Sequence, residues 1–163
     1  PCGPLFPYPP LLRSGGKRDY MRQRAAVGPV YRAGSLSGNP LTRAAGLRAV
    51  DLLRERDPYA QLEAMGRRLS EAVRGAAREK GLPLQVPQAG SMFAFFFAEE
   101  PVRNFQQVLA SETTHFKSLF HRALERGVYL PPSPYETCFI STAHDAGDLD
   151  QAIEVLVEVI RSL

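Results

Sequence analysis

The stretch GSMFAFFFAEEP, residues 90–101, decides the fold. Between Gly90 and the break at Glu99-Glu100-Pro101 it is apolar at almost every position, which is typical of a strand covered on both faces. We therefore predict a buried strand over residues 91–98 whose phenylalanines belong to the core. A second strand is predicted at Leu84-Gln85-Val86. Strands buried in this way have to be covered by helices.

Two helices are predicted upstream, each introduced by a capping residue and a proline. Asn39-Pro40 begins the first, because Asn accepts orphan N–H groups and Pro suits the first helical position. Asp57-Pro58 begins the second, which should run to about Lys80 and stop at Gly81. Its apolar face recurs at helical spacing, at Leu62, Met65, Leu69, Val73 and Ala76. A shorter helix is predicted over residues 19–26.

The downstream part predicts two more helices and two short strands. Ser111 or Thr113 can cap a helix that ends at Gly127, and Asp145, with Asp148 three residues on, forms a capping box for the last helix. Short strands are predicted at 128–130 and 138–140, around a proline-rich turn. The order of elements indicates a small α+β layer, with antiparallel or mixed strands covered by helices.

Composition limits the classes of protein that remain. The chain has 163 residues, 44% of them apolar and 23% charged, which suits a compact domain with its own core. It has no run of ~18 apolar residues, so we predict no membrane segment. Cys2 and Cys138 stand far apart, which argues against a disulfide framework or a metal-ligand pattern and favours a reducing cytoplasm.

Charge is unevenly distributed along the chain. Residues 1–56 carry 10 Lys and Arg against 3 Asp and Glu, whereas residues 57–163 carry 10 against 14. A basic half can bind nucleic acid or small anions. Because the arginines are dispersed and Trp is absent, we predict no nucleic-acid partner. Residues 1–16 are proline-rich and are set apart as a separate segment.

The stretch from Tyr31 to Pro40 is a candidate anion site. It places two hydroxyls and two glycines just ahead of a helix N-terminus, where backbone N–H groups and the helix dipole favour phosphate. Ser35 is the candidate hydroxyl donor. The residues alone leave a second interpretation open, in which Ser37 to Pro40 is simply a turn that leads into an N-cap.

Glu136 is the candidate acid, since it lies between the proline-rich turn and an apolar strand. A carboxylate there can orient an amine or transfer a proton, although such a Glu is more often simply solvated. His115 and His121 are six residues apart, which does not match a zinc helix, and we predict no metal site. His144 is assigned a structural role, and Cys138 is not expected to be a nucleophile.

Several stretches, in register, closely resemble the glutamate-1-semialdehyde 2,1-aminomutase family, within the class-III aminotransferases. They are Gly28 to Tyr31 with Ala33 to Leu41, Gly90 to Phe93 with Phe95 to Phe97, Pro101 to Phe105, Phe120-His121 with Leu124 to Leu130, and Glu136, Phe139, Ser141 and Ala143-His144. The resemblance extends from about Gly15 to Leu163 and covers only the C-terminal part of the family.

The resemblance implies an α/β fold of the pyridoxal-phosphate fold type I, with an α+β C-terminal portion. Residues 17–56 would end the large cofactor domain, and residues 57–163 would form the small domain of short, mostly antiparallel strands. The implied reaction converts glutamate-1-semialdehyde to 5-aminolevulinate for tetrapyrrole synthesis, in a cytoplasmic homodimer. The resemblance alone places Ser35 and Leu36 at the cofactor, Ser35 on the phosphate of the partner subunit, and Glu136 near the substrate amine.

One departure from the family affects activity. The family's Schiff-base lysine precedes the Gly-Gly pair, yet residues 1–14 contain no lysine, and Lys17 follows the pair. Because that lysine holds the cofactor and moves protons, we predict that this chain alone is inactive. The abrupt change in composition suggests a reading-frame slip over residues 1–14. Two alternatives stay open: a different class-III aminotransferase, and a non-catalytic dimerisation remnant.

Overall fold

A computed structural model describes residues 17–24, 27–30, 36 and 38–163. The chain divides into two units, Pro1–Asp51 and Leu52–Leu163. Neither the predicted boundary at residue 16 nor that at residue 56 is tested by this division, and both stay predictions. No helix in the described ranges is long and apolar enough to cross a membrane.

The first described helix is shorter than predicted. Helix α1 is Arg18–Met21, a single turn rather than residues 19–26. The chain then turns back on itself, because the Val30 N–H donates to the Gln23 carbonyl at 2.8 Å and Arg24 bridges to Val30. These pairings use backbone groups of Gln23 and Arg24 that a longer helix would need for its own hydrogen bonds. Residues 25 and 26 lie outside the described residues.

Helix α2, Pro40–Arg56, begins where the sequence predicts. The Asn39 side-chain oxygen accepts from the backbone N–H groups of Leu41 at 2.9 Å and Thr42 at 3.2 Å, which confirms the N-cap. None of the residues of α2 is buried.

The predicted cap of the next helix is wrong. Helix α3, Tyr59–Lys80, has Pro58 at its N-cap position, with no side-chain hydrogen bond. Asp57 instead has a φ of 38°, and its N–H donates to the Leu53 carbonyl at 3.0 Å, so it ends α2. The predicted stop is confirmed: α3 ends at Gly81 in the left-handed region.

The predicted long strand over residues 91–98 is divided in two. The strands are β1 Leu84–Gln85, β2 Gln88–Ala89, β3 Met92–Phe93, β4 Phe96–Phe97 and β5 Cys138–Phe139. β1 pairs with β4, and a second sheet has the order β2-β3-β5, with every pairing antiparallel. Between the β1–β4 and β2–β3 pairings the Ala94 N–H donates to the Pro87 carbonyl at 3.2 Å in the same antiparallel register, and the ladder breaks there because Pro87 has no N–H to donate in return.

The predicted strand over residues 128–130 is absent among the described residues. The Val128 N–H donates to the Ala123 carbonyl at 2.9 Å, next to Gly127 with its φ of 88°. The Val128 N–H is therefore bound to a carbonyl at the end of a helix and is not available to a neighbouring strand. The strand predicted at 138–140 forms only over Cys138–Phe139.

Helix α4, Phe105–Leu109, was not predicted, and helix α5 is Thr114–Glu125. Neither Ser111 nor Thr113 caps α5, which corrects that prediction. The Glu112 carboxylate does so, accepting from the backbone N–H groups of Thr114 and of His115, the latter at 2.9 Å. The Ser111 hydroxyl donates instead to the Val108 carbonyl at 2.6 Å.

Helix α6, Ala146–Ser162, carries the predicted capping box. Asp145 accepts from the Asp148 N–H, and Asp148 accepts from the Asp145 N–H, both at 2.9 Å. α6 packs along α3 and α5, and α3 and α5 contact the strands, which confirms the α+β layer. The largest fully buried core side chains are Val73, Val86, Leu119, Leu156, Val159 and Ile160. Phe93, Phe95 and Phe97 are buried as predicted, whereas Phe96 is only half-buried.

Candidate functional site

The turn before α2 is only partly described. Ser35 lies outside the described residues, so its predicted phosphate contact stays a prediction. Leu36 is 61% exposed, and its carbonyl accepts from the Asn39 N–H at 3.2 Å. Gly38 has a φ of 84°, and a Cβ built there meets nothing within 4 Å. The space beside Gly38 is thus open. Asn39 caps α2, as the interpretation of this stretch as a turn leading into an N-cap expects.

Glu136 projects from the turn that joins the proline-rich segment to β5. Its N–H donates to the Ser133 carbonyl at 3.2 Å, and the Tyr135 N–H donates to the Ser133 hydroxyl, also at 3.2 Å. Glu136 is exposed, and its carboxylate makes no hydrogen bond or ion pair with any described residue. A carboxylate held in this way is available to a ligand.

A cavity of about 460 Å³ opens beside Glu136. Its walls are mainly apolar side chains from α3, α6, β5 and residues 128–132, including Leu69, Leu149 and Leu156. This volume falls within the range of ~300–1,000 Å³ that ligand pockets occupy. Nothing in the sequence pattern alone signalled the cavity, because its walls come from elements far apart in the chain.

The polar residues that line the cavity are Tyr129, Glu136, Thr137, His144 and Asp148, and none of the described lining residues is Lys or Arg. His144 accepts from the Ser141 N–H through Nδ1 at 3.1 Å, which fits its predicted structural role. Asp148 is engaged in the capping box. Glu136 is therefore the acid at this cavity with a free carboxylate.

Cys138 lies in the wall of the cavity as a buried thiol. Burial, with the negative charge of Glu136 adding to it, raises the pKa of Cys138 to about 12. Because the thiolate is the nucleophile, a thiol with this pKa is unreactive near neutral pH. The buried environment of Cys138 therefore agrees with the expectation that this thiol is not a nucleophile.

Of the two remaining histidines, His115 lies at the start of α5 beside Glu112. His115 Nδ1 lies 2.6 Å from the Glu112 carboxylate, and its ring stacks on Phe97 with centroids 5.3 Å apart. The hydrogen bond from the His115 backbone, followed by those of Thr114, lowers the pKa of Glu112 to about 2. The described residues contain no group of three or more possible metal ligands. Glu112 and His115 therefore stabilise the start of α5.

Comparison with known proteins identifies similar sequences, although no family model matches the chain. The glutamate-1-semialdehyde 2,1-aminomutase of Opitutus terrae is 51% identical over 154 residues, which cover 94% of this chain and 36% of that protein. A protein of the same name from Thermus thermophilus is 45% identical over 148 residues, which cover 90% of this chain and 35% of that protein. The matched region is the C-terminal part of these relatives, so the chain spans about a third of their length.

Solved structures have the same fold. A β-phenylalanine aminotransferase from Variovorax paradoxus superposes with a TM-score of 0.72 over 91% of this chain and 34% of that one, at 23% identity. A glutamate-1-semialdehyde aminomutase variant from Pseudomonas aeruginosa, in complex with PMP, gives a TM-score of 0.69 over 82% of this chain and 32% of that one, at 24% identity. The expected fold class, the C-terminal portion of this type of aminotransferase, is confirmed.

Proposed function

Since the chain is a homologue of the C-terminal part of glutamate-1-semialdehyde 2,1-aminomutases, we propose that it is that part of such an enzyme. The reaction of the whole protein would be the conversion of glutamate-1-semialdehyde to 5-aminolevulinate in tetrapyrrole (porphyrin) synthesis. The observation that carries this proposal is 51% identity over 154 residues with the Opitutus terrae aminomutase.

Pyridoxal phosphate is the proposed cofactor, and it supplies an electron sink and a carrier for the amino group. The described residues before α2 leave room for a phosphate, because the side of Gly38 is open and Leu36 is exposed. Ser35 would donate its hydroxyl to a phosphate oxygen beside Leu36. The N–H groups of Leu41 and Thr42 are already bound by Asn39, so the phosphate contact rests on the turn itself.

Glu136 is the residue that we assign to the substrate. An ammonium group donates hydrogen bonds, and a carboxylate without a partner among the described residues can accept them. Glu136 lines the cavity on a turn that its backbone bond to Ser133 holds, which supports this assignment. Glu136 would therefore hold and orient the substrate amine.

The catalytic lysine is not supplied by this chain. Its three lysines are Lys17, Lys80 and Lys117. All three are exposed, and none lines the cavity that Glu136 borders. We therefore propose that the chain is inactive by itself and needs the lysine-bearing part of the enzyme.

A cytoplasmic homodimer is the assembly we propose for the complete enzyme. Helix α2 exposes Leu41, Leu47, Val50 and Leu53, which gives it apolar surface available for contacts. The two cysteines, far apart in sequence, suit a reducing compartment. Ser35 would then contact the cofactor phosphate bound by the other subunit.

A chimera tests the proposed function. The C-terminal 154 residues of the Opitutus terrae enzyme are replaced by the matched residues of this chain, and 5-aminolevulinate formation is measured with glutamate-1-semialdehyde. We expect turnover by the chimera and none by the 163-residue chain. Glu136→Gln should lower kcat/KM at least tenfold, since an amide cannot pair with an ammonium ion as strongly, whereas the exposed control Glu154→Gln should change it less than twofold.

Two results would contradict the proposal. A folded chimera that binds pyridoxal phosphate yet transfers the amino group only to an external acceptor would indicate a different class-III aminotransferase. A folded chimera without any turnover would favour a non-catalytic remnant. Turnover by the 163-residue chain alone would contradict its proposed inactivity.

A further inference from the structure

The residues before Glu136 form a four-residue turn. The Glu136 N–H donates to the Ser133 carbonyl at 3.2 Å, which closes a turn with Pro134 and Tyr135 at its centre. Ser is favoured at the first position of such turns and Pro at the second, because the proline ring fixes φ in advance. The local sequence therefore favours this turn before any distant contact forms.

The turn determines where Glu136 meets the cavity. Pro131 and Pro132 line the cavity, residues 133–135 do not, and Glu136 lines it again. The chain thus leaves the cavity wall at the turn and returns to it at the acid. Burial, followed by the negative charge of Glu136, raises the pKa of Cys138 in the same wall, so the carboxylate lies close enough to act on that wall.

Ser133 holds the turn through two hydrogen bonds. Besides its carbonyl, which binds the Glu136 N–H, its hydroxyl accepts from the Tyr135 N–H at 3.2 Å. A Ser side chain that binds the backbone two residues further on restrains a turn in this way. Ser133 does not line the cavity, so its hydroxyl acts on a bound molecule only through the turn.

The side chain of Glu136 has no restraint of its own. It is exposed, and its carboxylate makes no hydrogen bond or ion pair with any residue that the structure describes. Its position is therefore set by its backbone, which the bonds to Ser133 hold. A binding group on a fixed backbone loses less conformational freedom when a ligand arrives. Loosening the turn should weaken a contact to an amine while the carboxylate itself remains.

We propose that Ser133 is a positioning residue, whose hydroxyl holds the turn that presents the Glu136 carboxylate to the substrate amine. The proposal rests on the function proposed for Glu136. In the chimera, Ser133→Ala should lower kcat/KM about threefold to tenfold, which is the effect of one neutral hydrogen bond. Ser133→Asn should stay within about twofold of the unchanged chimera, since the Asn oxygen can accept from the same N–H.

Ser141, two residues after β5, offers a matched control. Its hydroxyl accepts from the Ala143 N–H, also at 3.2 Å, and it does not line the cavity. Ser141→Ala removes the same kind of hydrogen bond, so its thermal midpoint should match that of Ser133→Ala within about 2 °C. Its kcat/KM should nevertheless change less than about twofold, because the turn it holds does not carry the acid.

Two further measurements separate action through Glu136 from a general loss of structure. In a Glu136→Ala background, Ser133→Ala should change kcat/KM less than about twofold, because no carboxylate is left to position. In the 163-residue chain, Ser133→Ala should speed amide exchange of Tyr135 at least about fivefold and leave Ala143 unchanged, and Ser141→Ala should do the reverse.

Four results would overturn the positioning role. They are kcat/KM unchanged by Ser133→Ala, an equal loss for Ser141→Ala, an undiminished loss in the Glu136→Ala background, and unchanged exchange of Tyr135 in Ser133→Ala. The proposed function is judged separately. Turnover that needs Glu136 but not the Ser133 hydroxyl overturns the positioning role alone, whereas a chimera without turnover overturns the proposed function and the positioning role with it.

Discussion

Gly66 lies where α3 comes closest to the β2–β3 hairpin, and its replacement by Ala is the sharpest test of that packing. A Cβ at Gly66 would stand 2.8 Å from the Gly90 carbonyl oxygen and 3.2 Å from the Gln88 side-chain nitrogen. That nitrogen already donates to the same carbonyl at 2.6 Å, so neither atom is free to move away. The contact is with backbone in a tight turn, which cannot yield as a long side chain would.

Two opposing effects set the change in the free energy of unfolding that Gly66→Ala causes. Ala gains about 1 kcal/mol over Gly in a helix interior. Forcing a methyl group into a filled contact costs about 1–3 kcal/mol. At Gly66 the second effect wins, and we expect a net loss of about 1 kcal/mol in the free energy of unfolding. Gly75 in the same helix has nothing within 4 Å of the added Cβ, so Gly75→Ala should stabilise by up to about 1 kcal/mol.

Urea unfolding followed by far-ultraviolet circular dichroism measures both variants. The predicted difference between them is about 2 kcal/mol, or about 8 °C in thermal midpoint at about 4 °C per kcal/mol for a unit of this size. An equal m-value in the two variants checks that only stability has changed. The reasoning is refuted if Gly66→Ala is as stable as Gly75→Ala, because helix propensity alone would then account for both.

Three further outcomes follow from other contacts. Because the pKa of Glu112 is lowered, the stabilisation from its carboxylate is present above the ordinary value of 4.5 and is lost as the pH falls towards about 2. In urea unfolding across this pH window, Glu112→Gln should lose less free energy of unfolding on acidification than the unchanged chain does. Asp145→Ala removes the cap of α6 and should cost about 1 kcal/mol in the same urea assay, with a loss of less than about 0.3 kcal/mol as the contrary result. In a Cys2→Ser background, Cys138 should react with a thiol reagent near pH ~8 only after unfolding, and rapid labelling of the native chain would contradict its raised pKa.

Local patterns in the sequence predicted the parts of the fold that local contacts decide. Asn39 and Asp145 cap helices as expected, because a cap needs only residues within three positions. The stop at Gly81 is equally local. The burial of the phenylalanines was predictable as well, since a run apolar on both faces has few places to lie except the core.

The failures share a physical cause, which is competition from distant or alternative partners. Asp57 and Thr113 have suitable side chains, yet Asp57 is used to end α2 and Glu112 supplies a stronger, charged cap for α5. The strand over 91–98 is interrupted because Ala94 lies opposite Pro87, which has no N–H to donate, so the cause lies in the preceding segment and not in the apolar run itself. No local pattern specifies which of two possible acceptors wins.

The sequence and the tertiary structure contribute different parts of the case for Glu136. The residue pattern named Glu136 as the candidate acid and the resemblance placed it near the substrate amine, but its value as a binding group depends on the cavity beside it and on the absence of a partner among the described residues. His144 and Asp148 border the same cavity and are both engaged in structural hydrogen bonds. The proposed function of Glu136 therefore follows from what its neighbours are already bound to, and a cation supplied at this cavity would compete directly with the substrate amine.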